Sequence, residues 1–178
     1  MYLETKRMIL KEYELGDHDL MYDLDSDPEV VKHVGGKQND YQLYIKAINR
    51  YIAFYKENHG CGYYKVYLKE NPTEYVGWYH LRPEKEEPNN FKMLEVGYRF
   101  KKKCWNKGLA TEGTLALVKK SFEDLAVDMV TAKTSKLNIA SQRVMQKSGM
   151  ILDETSTNVN PSYSVRYLIN SEMYKTNF

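Results

Sequence analysis

A strand-like run, Glu95-Val96-Gly97-Tyr98-Arg99-Phe100, leads to a short turn, Asn106-Lys107-Gly108-Leu109-Ala110, and a helical pattern opens behind it at Thr111-Glu112. The first turn of a helix has backbone N–H groups without intrahelical partners, and the helix dipole adds about half a positive charge there. Such a turn takes an anion, above all a phosphate. Gly108 lets the anion approach the main chain, Ala110 is small, and Lys107 adds a surface charge. Taken alone, the turn fits an ordinary basic loop before a helix equally well. No G-x-G-x-x-G follows a strand, and no G-x-x-x-x-G-K-[ST] occurs, so dinucleotide and nucleoside-triphosphate chemistry are not expected.

Other residues could do chemistry only with partners. His18, His33, His59 and His80 have no metal-ligand spacing, and no metal is expected. Cys104 precedes the turn without an evident base and reads as a bystander. Asn138 heads a helical stretch, where its side chain would cap the helix, and Ser141 would sit one turn in. Asp17, Asp19, Asp23, Asp25, Asp27 and Glu29 crowd one stretch without a Lys or Arg among them. They would attract a cation or serve as capping acids on a solvated face.

The elements that must position these residues read as mixed α/β. Arg7–Tyr13 is a first strand, a helix opens at Gly16-Asp17 and ends near Asp27, and Pro28–His33 is a short helix. Asp40–Asn58 is a good helix, with Tyr41, Tyr44, Ile45, Ile48, Ile52 and Tyr55 at steps of three or four, stopped at His59-Gly60. Tyr63–Leu68, Tyr75–Leu81 and Met93–Phe100 form a hairpin series, with Glu84–Asn90 as a loop. Then come a helix Gly108–Leu125, a strand Met129–Ala132, a helix Asn138–Ser148 and last strands Met150–Leu152 and Tyr163–Ile169 around a turn at Asn160-Pro161. The order is antiparallel first, then strand–helix–strand–helix.

The 178 residues suit one domain, 1–178, which at this length buries about two thirds of its unfolded surface without disulfide or metal. A net charge of +2 gives no reason to expect nucleic-acid binding. No apolar run approaches the ~18 residues of a membrane span. With no signal-peptide pattern at its start and only Cys61 and Cys104, the chain is expected in the cytoplasm with reduced thiols. The sixteen tyrosines read as amphipathic filler on strand and helix surfaces.

Several separated pieces together resemble one family. They are Asp27-Pro28-Glu29-Val30, then Glu95-Val96-Gly97-Tyr98, then Trp105-Asn106-Lys107-Gly108-Leu109-Ala110-Thr111-Glu112, and Asn138-Ile139-Ala140-Ser141 with Arg143-Val144, Lys147 and Gly149-Met150. In this order and spacing they are similar to the GNAT superfamily of N-acetyltransferases, specifically the branch of ribosomal-protein N-terminal acetyltransferases. The resemblance implies a splayed central sheet flanked by helices, acetyl-CoA as cosubstrate and a primary amine as acceptor, whether a protein N-terminus, a polyamine or an aminoglycoside-type small amine. The expected state is a monomer or homodimer. It further implies that the turn Asn106–Ala110, with flanking Trp105 and Thr111, binds the coenzyme pyrophosphate. Main-chain groups near Val96 and Tyr98 would pair with the pantetheine arm, Asn138 would bond that arm, and Ser141 would lie near the thioester sulfur or the phosphates.

Two departures matter. Asn106 replaces the family's first glycine, and asparagine tolerates a left-handed backbone better than most residues. Met145 stands where many members place a tyrosine acid, and it cannot give a proton. An attacking amine must be neutral, and a lysine-like amine has a pKa of ~10.4, so a base or a desolvating site must help. Glu95 is the base candidate, or else an exposed strand carboxylate or one that pairs with a nearby Lys; Ser141 is the remaining proton donor, and the N–H of Val96 would meet the oxyanion. The rival is a non-catalytic acyl-CoA-binding sensor or partner module.

Overall fold

The structure, a computed structural model, describes residues 2–58, 60–155 and 164–177. The elements run β1 (Tyr2–Glu4), β2 (Met8–Glu12), α1 (His18–Asp25), α2 (Pro28–Val31), α3 (Gln42–Glu57), β3 (Gly62–Leu68), β4 (Asn71–Pro83) and β5 (Met93–Phe100). Then follow α4 (Leu109–Glu123), β6 (Met129–Ser135), α5 (Ile139–Lys147), β7 (Ile151–Leu152), β8 (Ser164–Asn170) and α6 (Ser171–Asn177), with a 3-10 turn at Lys102–Cys104. The strands form an open mixed sheet in the order β1-β2-β3-β4-β5-β6-β8-β7. β5 and β6 are parallel, which requires a crossover, and α4 supplies it. This is the mixed α/β class expected.

By contact density the chain divides into two compact units. The first comprises Met1–His80 and Tyr98–Leu109, the second Leu81–Gly97 and Ala110–Phe178. In the first unit α3 buries Tyr44, Ile48 and Tyr51, spaced four and three apart on one face. They pack with Tyr13 and Met21 in one apolar cluster. Tyr51 stacks on Tyr63 with ring centroids 3.6 Å apart. β5 passes so close to Gly77 that a Cβ there would lie 2.2 Å from the carbonyl oxygen of Arg99. The tyrosines correct the surface expectation: Tyr64 and Tyr79 are fully buried, and Tyr13 and Tyr75 join hydroxyls at 3.1 Å in the interior.

In the second unit, Leu117 and Val118 of α4, Val130 and Ala132 of β6, Met145 of α5 and Ile169 of β8 are buried. β6 pairs with β8 along its whole length, from Met129↔Asn170 to Ser135↔Ser164. Several bounds differ from those read in the sequence. β4 begins at Asn71, because Lys69 and Glu70 make the turn and Asn71-Pro72-Thr73 already extend. β6 runs three residues beyond Ala132, carried by its pairing with β8, and α4 stops at Glu123. β1 and α6 have no periodicity strong enough to announce them. The turn at Asn160-Pro161 and the stop at His59 lie outside the described residues.

Candidate active site

In the first unit, the turn before α4 has the conformation an anion cradle needs. Asn106 has φ 58° and Gly108 φ 74°, two left-handed residues flanking Lys107. Alternating residues of this kind turn successive N–H groups to one side. Asparagine holds the left-handed state as expected, and Gly108 holds it without strain. Asn106, Lys107 and Gly108 are exposed, whereas Leu109 is buried and anchors the helix start. The Leu109 carbonyl accepts the Tyr79 hydroxyl at 3.3 Å. Trp105 is 39% exposed, and its indole N–H donates to the Phe100 carbonyl at 2.9 Å and so ties the turn to β5.

One residue that sequence reasoning missed supports the turn. Arg7 Nη1 donates to the Lys107 carbonyl at 2.8 Å. The two are 100 positions apart, and nothing local in the sequence pairs them. Cys104 is buried, which pushes its thiol up and keeps it protonated, in line with a bystander. Tyr98 is half-buried and its ring meets Tyr79 at 5.6 Å.

In the second unit, the β5–β6 ladder has three rungs: Met93↔Met129, Leu94↔Val130 and Glu95↔Thr131. Both strands continue past the last rung, and β6 stays with β8. The β5–β6 register ends at Glu95↔Thr131, and a strand edge beyond its last rung offers main-chain groups with which an extended arm could pair. Val96 itself is buried. Glu95 sits on the last rung with its side chain 13% exposed, 3.5 Å from the Arg82 guanidinium. The alternative for Glu95 is corrected on both counts: it is largely buried, and the cation beside it is Arg82 and not a lysine.

Around that rung lies a buried polar network. Glu84 is fully buried; its Oε1 accepts Thr131 Oγ1 at 2.6 Å and Arg166 Nε at 2.9 Å, and Oε2 pairs with Lys133 at 3.0 Å. Burial pushes the Glu84 carboxyl up, but the bonds from Thr131, Lys133 and Arg166 outweigh it and hold the carboxyl below its ordinary value. Arg166 also pairs with Asp153, and Lys133 with Glu86 at 2.9 Å. Sequence reading had assigned 84–90 to a loop and gave Glu84 no role.

At the start of α5, Asn138 Oδ1 accepts the Ser141 N–H at 3.1 Å, so the capping role holds for Asn138. Ser141 is half-buried in that first turn. Ala110 and Thr111 are half-buried in the first turn of α4. Met145 is 2% exposed, a core residue. The acidic stretch is largely occupied by partners within the first unit. Asp17 holds Lys65 at 2.7 Å, Asp25 holds Arg99 at 2.5 Å and accepts the Tyr44 hydroxyl at 3.2 Å, Asp19 accepts Tyr41, and Asp27 caps α2. Asp17, Asp19, Asp25 and Asp27 thus have structural partners, while Asp19, Asp23 and Glu29 remain exposed. Among the described residues no group of three or more His, Cys, Asp or Glu could hold a metal, and no helix is long and apolar enough to cross a membrane.

The model of the acetyltransferase (GNAT) domain matches residues 7–151, and the chain belongs to that family and is an acetyltransferase. It is 30% identical over 161 residues to an FsC-acetyl coenzyme A-N(2)-transacetylase of Aspergillus fumigatus, covering 88% of this chain and 67% of that one. A GNAT-family acetyltransferase of Bacillus anthracis superposes with a TM-score of 0.77 at 24% identity, covering 97% of this chain and 99% of that one. RimL, a ribosomal L7/L12 alpha-N-protein acetyltransferase solved with coenzyme A, superposes at 0.76 with 12% identity, over 96% of this chain and 98% of that one.

Proposed function

We propose that this chain, as one domain over residues 1–178, transfers the acetyl group of acetyl-CoA to a primary amine by direct attack, without an acyl-enzyme. The observation that carries the reading is the turn with Asn106 and Gly108 both left-handed at the head of α4. Trp105, Asn106, Lys107, Gly108, Leu109, Ala110 and Thr111 hold the pyrophosphate, chiefly through main-chain N–H groups. Val96 and Tyr98 pair with the pantetheine arm through their backbones, and Asn138 and Ser141 bond it from the start of α5. The ladder that ends at Glu95↔Thr131 supports a slot of this kind.

In the reaction the neutral amine attacks the thioester carbonyl, and the N–H of Val96 takes the oxyanion. The C–S bond then breaks and coenzyme A leaves as a thiolate. Glu95, directly or through a water, takes the proton the amine sheds. Met145 fills the position of the family's tyrosine acid from within the core, so the thiolate is protonated by Ser141 or by solvent. The acceptor is an α-amino group of a protein or the N(2) amine of a small molecule. The names of RimL and of the A. fumigatus relative support these two kinds of amine.

Thiol release measured over peptides with free N-termini, polyamines, aminoglycosides and small α-amino compounds tests the function. Glu95→Gln should cut turnover at least tenfold and leave acetyl-CoA affinity within twofold. Unchanged turnover across the pH range removes Glu95 as base. Tight acetyl-CoA binding without release of thiol to any amine establishes the sensor module instead.

A further inference from the structure

The last rung of the β5–β6 ladder is held from both sides by one short segment. Arg82 and Glu84 are two residues apart, at the end of β4 and just beyond it. Arg82 Nη2 reaches Glu95 Oε1 at 3.5 Å, on the β5 side of the rung. Arg82 is itself fixed, because Nη1 donates to the Pro83 carbonyl at 2.7 Å. Glu84 Oε1 accepts Thr131 Oγ1 at 2.6 Å, on the β6 side of the same rung. Beyond the rung, Glu84 Oε2 holds Lys133 at 3.0 Å, two residues further along β6. Arg166, opposite Lys133 on β8, bonds the same carboxylate, and its Nη2 lies 3.3 Å from Met93 Sδ at the first rung. Glu84, Thr131, Arg82 and Arg166 are all buried, at 0%, 0%, 8% and 6% exposure.

A fully buried carboxylate is costly to desolvate and persists only where partners satisfy it. A core of similar volume made from apolar residues would hold the strands together as well. What the charged arrangement adds is direction: Thr131 and Lys133 are drawn to Glu84, while Glu95 is drawn to Arg82. We propose that Arg82 and Glu84 form a clamp that fixes the point at which β5 and β6 part, and so set the width and register of the coenzyme slot. The proposal rests on the reading of that fork as the acetyl-CoA site. Both are positioning residues: each acts through a side chain of the last rung and neither touches the reacting atoms.

The test separates slot geometry from bulk stability. Thr131→Val removes the hydroxyl bond to Glu84 and leaves every charge in place, and valine suits a strand. Thr131→Ser keeps the hydroxyl. Asp153→Asn weakens the same network through Arg166 but does not touch the rung. With the full chain and coenzyme A as the titrant in calorimetry, Thr131→Val should raise Kd about tenfold, the scale of one displaced hydrogen bond. Thr131→Ser should stay within about threefold of the wild type. Asp153→Asn should lower the melting temperature and leave Kd unchanged. Glu84→Gln should raise Kd at least as much as Thr131→Val; if it does not fold, the threonine pair still decides. Equal Kd for the wild type and Thr131→Val overturns the clamp, as does a rise in Kd that only follows the loss of melting temperature, Asp153→Asn included. A wild type that binds no coenzyme A overturns the coenzyme reading itself, a result separable from failure of the clamp alone.

Discussion

Gly108→Ala separates what the phosphate turn does for folding from what it does for binding. Gly108 has φ 74°, a conformation that costs an alanine about 1 kcal/mol. No steric clash adds to this. A Cβ built there meets a single atom among the described residues, Arg7 Nη2, at 3.5 Å, an ordinary contact. The folding cost therefore stays at about 1 kcal/mol, a fall in Tm of roughly 2–4 °C for a chain of this length. Binding should suffer more. If the pyrophosphate lies against this backbone, the methyl group displaces it from at least one N–H, a charge-assisted bond worth about 1.5–3 kcal/mol. That is roughly a 10- to 100-fold rise in Kd for coenzyme A. Calorimetry with coenzyme A at a temperature well below Tm, paired with thermal denaturation, reads both. A Kd within twofold of the wild type, with the modest loss of Tm present, would refute the assignment of the turn as the pyrophosphate site.

Two further predictions concern the scaffold. In Gly77→Ala the new methyl would lie 2.2 Å from the Arg99 carbonyl oxygen and 2.9 Å from the Phe100 Cα, both backbone atoms that cannot turn aside. It should cost about 3 kcal/mol, a Tm loss of roughly 6–12 °C, and a loss under 2 °C would contradict the close approach of β5. The carboxyls of Glu84 and Asp153 are held below their ordinary values: burial raises both, but hydrogen bonds and the Arg166 charge prevail. Carboxyls lowered in the folded state bind protons sooner in the unfolded chain, so their contribution is full above about pH 5 and lost as pH falls through about 4 and below. Urea midpoints measured from pH 7 to pH 3 should drop steeply at the acid end and less so in Glu84→Gln. A flat profile would show that the network contributes no stability.

The chemistry-bearing turn was legible because its signals are local. The run from Glu95 through Thr111, the glycine at 108 and an asparagine that accepts φ 58° at 106 all act within a few residues. The hairpin series and the crossover helix were legible for the same reason, since periodicity and breakers are short-range. The capping by Asn138 was equally readable, as a side chain bonding its own helix three residues on. Lengths were less so. β6 outran its apolar run because pairing with β8, a distant partner, carries its polar end through Ser135.

Partners far apart in the chain were not legible at all. Arg7 meets Lys107 across 100 positions, and Arg166 meets Glu84 across 82. In the acidic stretch 17–29 the partners of Asp17 and Asp25, Lys65 and Arg99, lie far along the chain, and of these acids only Asp25 is buried. Sixteen tyrosines carry no mark of which are inside; only the packing of α3 with Tyr13, Met21 and Tyr63 in the first unit made Tyr44 and Tyr51 core. By itself, then, the sequence determined the turn, the order of elements and the family that they imply. The tertiary structure alone decided where the β5–β6 pairing ends and which buried charges surround its last rung, because Coulomb and hydrogen-bond partners are chosen by distance in space, and local sequence carries no record of it.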